Sequence, residues 1–177
     1  MPPCLERLGL IDSFFWSMLN QALRWLPGGT SFLSFNVSPS QLTSLEFADH
    51  FLNALRRHGI APERIELEIT ENVLFRNIDT SKHVLGKIVG AGVSLALDDF
   101  GTGYSSLSYI HKFPFSKIKV DRCFVSGDDV GPRAHAIIRA VAEMGRGLDM
   151  EIVAEGLEEQ EQVETVRDAG CTLGQGY

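Results

Sequence analysis

Residues 93–101 read Val-Ser-Leu-Ala-Leu-Asp-Asp-Phe-Gly, an alternating apolar run that stops on two adjacent acids and a glycine. Period-2 alternation is the signature of a strand; it turns Val93, Leu95 and Leu97 to one side and Asp98 to the other. Neighbouring segments repeat the arrangement. In Ile65-Glu66-Leu67-Glu68-Ile69 the apolar residues oppose Glu68, Ile118 and Val120 oppose Lys119, and Ile152 and Ala154 oppose Glu155. Further upstream, 31–37 is strand-like and carries Asn36, and 172–177 begins another strand with Gln175 near its end.

Helical periodicity fills the intervals. Asp12 is expected to cap a helix whose stripe is Phe15, Met18, Leu19, Ala22, Leu23 and Leu26, stopped by Pro27-Gly28-Gly29. Further helices are expected over a segment containing Leu45 to Leu55 and closed by His58-Gly59, over 79–89 ending at Gly90, around 107–111, and over 133–147 and 159–169. Five complete strands alternating with helices, with a strand fragment behind, predict an α/β protein with a parallel sheet covered by helices. No repeat or interdomain linker interrupts the pattern, since 127–132 is only a short loop, so residues 1–177 are expected to form a single domain.

Composition narrows the function. The chain of 177 residues is 44% hydrophobic and 22% charged, the make-up of a globular protein. Its 16 basic against 23 acidic residues argue against a DNA or RNA backbone binder, which is usually basic. Three scattered cysteines, Cys4, Cys123 and Cys171, form no C-x-x-C pair and predict reduced thiols in a cytoplasmic protein. No apolar stretch approaches the ~18 residues of a membrane span, and the N-terminus lacks the layout of a secretion signal.

The polar residues are more informative. Asn36, Glu68 with Glu71 beyond, Asp98-Asp99, Lys119 with Asp121, Glu155 and Gln175 all stand at or near strand ends. In parallel βα architectures these ends share one face, and that face carries the active site. Any one of them has an ordinary explanation: a solvated acid, a lysine paired with a neighbour, or, for Asn36 ahead of Ser38-Pro39, a helix cap. Adjacent Asp98 and Asp99 are harder to dismiss, because like charges repel unless a proton or cation compensates. They point to a divalent cation on oxygen ligands. Asp99-Phe100-Gly101 matches a kinase triplet, but no companion motif is present.

These residues in this order resemble the EAL family of bacterial cyclic di-GMP phosphodiesterases. The similarity rests on Phe35-Asn36-Val37-Ser38-Pro39-Ser40-Gln41-Leu42, Glu68-Ile69-Thr70-Glu71, residues 97–106 (Leu-Asp-Asp-Phe-Gly-Thr-Gly-Tyr-Ser-Ser), Ile118-Lys119-Val120-Asp121, Ala154-Glu155-Gly156-Leu157-Glu158 and Gln175-Gly176-Tyr177. It implies a modified (βα)8 barrel that uses Mg²⁺ or Mn²⁺ to open cyclic di-GMP to linear pGpG in second-messenger signalling. On that pattern Asn36, Glu68 and Asp98 hold one metal, and Asp98 bridges to a second metal also held by Asp99. Lys119 and Glu155 handle the attacking water, Gln175 positions it, and Glu71 and Glu158 support the loops. Two close cations of this kind stabilise the attacking and leaving oxygens. A homodimer or a regulatory sensory domain is the expected partner.

One departure accompanies the match. The Glu-Ala-Leu tripeptide that names the family, and whose Glu completes the metal shell, is absent from the sequence. A full (βα)8 domain runs to roughly 250 residues, so the expectation is an incomplete barrel lacking its first strand and closing element, weak or inactive alone. The alternatives are a non-catalytic module that binds cyclic di-GMP or a protein through the same cleft, and an unrelated metal-dependent barrel of the enolase type.

Overall fold

The structure, a computed structural model, describes residues 10–26, 31–71, 78–101, 110–126 and 131–176. They fall into two compact units, Met1–Ile69 with Val73–Leu95 and Thr70–Asn72 with Ala96–Tyr177.

In the first unit, helix α1 (Ile11–Trp25) presents Ile11, Phe15, Leu19 and Leu23 to the core. Asp12 does not cap it. The residue before the helix is Leu10, and Asp12 lies in the first turn. The start moves forward because Ile11, 6% exposed, is itself the first member of the buried stripe. Met18, expected in that stripe, is 46% exposed. Phe15 anchors an aromatic cluster, its ring centroid 5.6 Å from that of Phe47 and 6.5 Å from that of Phe51.

Strand β1 (Leu33–Asn36) leads into a short helix α2 (Pro39–Leu42) that periodicity did not predict. Four residues carry too little pattern, and local capping makes the turn instead. Pro39 pre-sets the first helical φ, and Gln41 Oε1 accepts hydrogen bonds from the Ser38 N–H at 2.9 Å and hydroxyl at 3.2 Å. Helix α3 (Glu46–His58) ends on Gly59 at φ 67°, the left-handed cap its sequence announced. Strand β2 (Ile65–Thr70) runs parallel to β1, with Ser34 opposite Glu66 and Asn36 opposite Glu68. Helix α4 (Ile78–Gly90) follows and buries Val84, Leu85 and Ile88.

Strand β3 (Ser94–Phe100) begins in the first unit and continues in the second. In the second unit it pairs in parallel with β4 (Lys117–Val120), β4 with β5 (Glu151–Leu157), and β5 with β6 (Leu173–Gly176). Helices α5 (Pro132–Gly147) and α6 (Gln160–Asp168) flank β5 in sequence and turn Ile138, Val141 and Val166 inward. Six parallel-paired strands alternating with helices are the α/β pattern that the sequence predicts, and the strand fragment at 172–177 is β6. The helix expected around 107–111 and the glycine-rich run from Gly101 fall largely on residues 102–109, outside the described residues, as do 27–30 and 127–130.

Alternation in these strands does not separate core from solvent. Glu66, Glu68, Asp98 and Lys119 are all buried, as are the apolar residues between them. Strands covered on both faces are the rule for parallel sheets, and they put charged groups where desolvation is costly unless paired. Among the described residues no helix is long and apolar enough to cross a membrane.

Candidate active site

In the first unit the register of β1 and β2 decides which polar groups meet. Asn36 Nδ2 donates to Glu68 Oε2 at 3.1 Å, and one layer away Ser34 Oγ donates to Glu66 Oε1 at 3.2 Å. The Val37 N–H donates to the Glu68 carbonyl at 2.9 Å, fixing the exit of β1 against β2. The capping role that the sequence left open for Asn36 is taken by Ser38.

In the second unit three successive strands bring Asp98, Lys119 and Glu155 together. Lys119, 5% exposed, places Nζ 2.5 Å from Glu155 Oε1 and 3.5 Å from Asp98 Oδ1. Asp98 Oδ1 is buried and makes no hydrogen bond. Such an acceptor costs about 1–3 kcal/mol, and its carboxylate chemistry suits a hard cation. Among the described residues no three His, Cys, Asp or Glu side chains form a ready-made metal cage; Asp98 and Glu155 are bridged by Lys119 instead.

Asp99 adopts φ 53°, a left-handed conformation that Asp tolerates better than most side chains. Burial, and then the charges of Asp98 and Asp121, raise its carboxyl above the usual range, while Lys119 opposes the shift. The sequence marks Asp121 as a polar group at a strand end and as the last residue of the run Ile118-Lys119-Val120-Asp121, without assigning it a role. Its charge in fact acts on Asp99, and the signal available in the sequence was its position two residues after Lys119. Beyond Asp99, the Gly101 N–H donates to Glu71 Oε1 at 3.0 Å, so the buried Glu71 side chain holds the turn that follows β3. Gln175 lies opposite Glu155 in the β5–β6 register and is exposed. Glu158 is exposed, and its N–H donates to Gln162 Oε1 at 2.7 Å.

Gly156, directly after Glu155, has φ 71°, and a Cβ there would lie 2.5 Å from Arg122 Cβ. Left-handed strain of about 1–2 kcal/mol adds to the steric cost. Gly156→Ala is therefore expected to lower stability by about 2–4 kcal/mol in denaturant unfolding. A loss below about 0.5 kcal/mol, the size of an ordinary surface change, would remove the close approach as the reason for glycine.

Two thiols are also perturbed. Desolvation, then hydrogen bonding and charge from Asp121, push Cys123 up to about 11; desolvation alone pushes Cys171 up to about 11. Thiolate is the reactive form, so both should alkylate with iodoacetamide roughly a hundredfold more slowly at pH 8 than a thiol at its ordinary value. Their rates should climb with pH until about 11. Mass spectrometry showing rapid labelling of folded protein at pH 8 would contradict these environments.

Comparison with known proteins places this geometry. A family model described as the EAL domain matches residues 1–177. The cyclic di-GMP phosphodiesterase RocR of Pseudomonas aeruginosa is 38% identical over 178 residues, covering 98% of this chain and 45% of RocR. The bifunctional diguanylate cyclase/cyclic di-GMP phosphodiesterase MucR of the same organism is 37% identical over 181 residues, 99% of this chain and 26% of MucR. The chain thus spans less than half the length of these relatives. Among solved structures, the PaMucR phosphodiesterase in complex with c-di-GMP is similar at TM-score 0.88 and 36% identity, over 98% of this chain and 78% of that one. The BlrP1 protein of Klebsiella pneumoniae, in a manganese and cyclic di-GMP complex, is similar at TM-score 0.82 and 28% identity, over 100% of this chain and 45% of that one. The family model runs the full length of the chain, and relatives and solved structures of the same family match nearly all of it: the chain belongs to the EAL domain family.

Proposed function

We propose that this protein is a metal-dependent phosphodiesterase that opens one phosphodiester bond of cyclic di-GMP to give linear pGpG. The observation that carries the reading is the Asp98–Lys119–Glu155 trio, in which Asp98 and Lys119 are buried, one carboxylate oxygen lacks a hydrogen bond and one lysine bridges two acids. The phosphodiesterase relatives and the cyclic di-GMP and manganese complexes of similar proteins support it.

In this proposal Asn36, Glu68 and Asp98 would hold one divalent cation, and Asp98 with Asp99 would hold a second, Mg²⁺ or Mn²⁺. The donor set fits, being all oxygen, with the orphaned Asp98 Oδ1 among it. When bound, the cations act as Lewis acids on phosphoryl oxygens and lower the pKa of water. The chain's own residues do the rest. The Lys119–Glu155 pair takes the proton of the attacking water, its lysine end buried and its carboxylate end partly open to solvent. Gln175, opposite Glu155 in register, orients the water. Glu71, through Gly101, and Glu158 support the loops around the strand ends. A cytoplasmic setting belongs to the same proposal and suits the unpaired Cys123 and Cys171.

The test is hydrolysis of cyclic di-GMP with Mg²⁺ or Mn²⁺, read as pGpG by chromatography, beside calorimetric binding of cyclic di-GMP, GTP and cyclic AMP. Metal-dependent pGpG release and preferential binding of cyclic di-GMP are expected. Binding without release would indicate a binding module, and equal affinity for all three nucleotides would overturn the assignment of substrate.

A further inference from the structure

Beyond the trio itself, a single amide side chain ties the segments that leave its strands. Gln162, on the first turn of α6, accepts at Oε1 from the N–H groups of Glu158 at 2.7 Å and Glu159 at 2.9 Å. Its Nε2 donates to the Val125 carbonyl at 3.4 Å and to Ser126 Oγ at 3.2 Å. Ser126 Oγ in turn donates to the Gly156 carbonyl at 2.7 Å. Two N–H donors at one end and a carbonyl at the other leave the amide one orientation.

The connectivity gives this cluster its interest. The β4–β5 register is defined from Lys117 and Glu151 up to Val120 and Ala154, one residue past Lys119 and one short of Glu155. Beyond that point the chain turns through a 3-10 segment, Arg122–Phe124, with the Asp121 side chain accepting from the Cys123 N–H at 2.9 Å. Val125 and Ser126 come next, on the segment that leaves the strand carrying Lys119. Gly156, Glu158 and Glu159 follow Glu155. Gln162 and Ser126 therefore join the two exits just where strand pairing stops. A helix cap needs only the oxygen of a glutamine at this position; the nitrogen half, aimed across at the other exit, is additional.

We propose that Gln162, relayed through Ser126, is a positioning residue for the hydrolysis proposed above: it sets Glu155 relative to Lys119 by coupling the segments that follow β4 and β5. The proposal rests on the phosphodiesterase reading, and the two are tested separately. Gln162→Glu keeps the acceptor for both N–H groups and removes the Nε2 donor; Ser126→Ala removes the relay. Both variants should retain the parent Tm closely while kcat falls roughly tenfold with KM for cyclic di-GMP little changed, because sub-ångström displacement of reacting groups acts on the chemical step. The double variant should fall no further than either single one, since both break the same link.

Amide exchange of 121–126 and 155–159 should speed up together in each variant. A helix-capping role alone predicts that Gln162→Glu and Ser126→Ala behave like the parent in kcat and in exchange, and that outcome overturns the proposal. If the parent itself releases no pGpG, the phosphodiesterase reading falls. Exchange then decides the coupling, with faster exchange in both segments upholding it and unchanged exchange ending it.

Discussion

Asp98→Asn is expected to abolish metal-dependent stabilisation and to lower cyclic di-GMP turnover by about 10³-fold, the equivalent of about 4 kcal/mol of lost charge stabilisation. The expectation follows from one atom. Asp98 Oδ1 is buried without a hydrogen bond, with the Lys119 ammonium 3.5 Å away. A cation bound there stabilises the folded protein by mass action, about 2.7 kcal/mol at a concentration one hundred times its Kd. Asparagine keeps the shape and removes the charge, so Mn²⁺ titration should raise the Tm of the parent and leave the variant where it was. A variant that gains as much Tm from Mn²⁺ as the parent would place the metal elsewhere.

Lys119→Met should be strongly destabilising. It leaves the carboxylates of Asp98 and Glu155, with side chains 12% and 20% exposed, facing one another without the ammonium between them. Removing one partner of a buried ion pair costs about 3–5 kcal/mol. The proton-transfer role proposed for the pair predicts a loss of turnover of about 10²–10⁴-fold in addition. Millimolar Mn²⁺ should restore part of the stability, because a divalent cation supplies the missing charge, without restoring turnover. Denaturant unfolding that puts the variant within about 0.5 kcal/mol of the parent, the range of a solvated surface pair, would show that the trio is not desolvated enough to matter.

Much of this arrangement was legible in the residues, for physical reasons that differ from place to place. Glu68, Asp98, Lys119 and Glu155 announced themselves because strand alternation set each against apolar neighbours, and packing then preserved the alternation. Strand pairing supplied what alternation alone does not contain: that Asn36 stands opposite Glu68, and that Lys119 reaches both Asp98 and Glu155. Asp121 was visible at the end of its strand but its effect on Asp99 was not, because strand β4 ends at Val120 and no periodicity says where the next side chain goes. Helix α2 was invisible to a helical period and depends on Ser38, Pro39 and Gln41 acting locally. Gln162 lies in the polar run Glu159-Gln160-Glu161-Gln162, where any of the four side chains reads as solvated helix surface. Only the close approach of Val125 and Ser126 singles one of them out.

Both tryptophans of the chain, Trp16 and Trp25, belong to α1. Trp25 is 84% exposed, so its indole already sits in water and its emission should change little on unfolding. Trp16 packs within 5.3 Å of the Phe15 ring and 5.7 Å of the Phe47 ring, centroid to centroid, and should carry nearly all of the fluorescence change. Intrinsic fluorescence is thus a local reporter of the first unit, whereas far-ultraviolet circular dichroism registers helices and strands of both. The protein carries its own two-channel assay of cooperativity. If Lys119→Met shifts the Trp16 transition as far as the dichroism transition, damage in the second unit is felt in full by the first, and the chain melts as one; a fluorescence midpoint that stays put marks two units that melt apart.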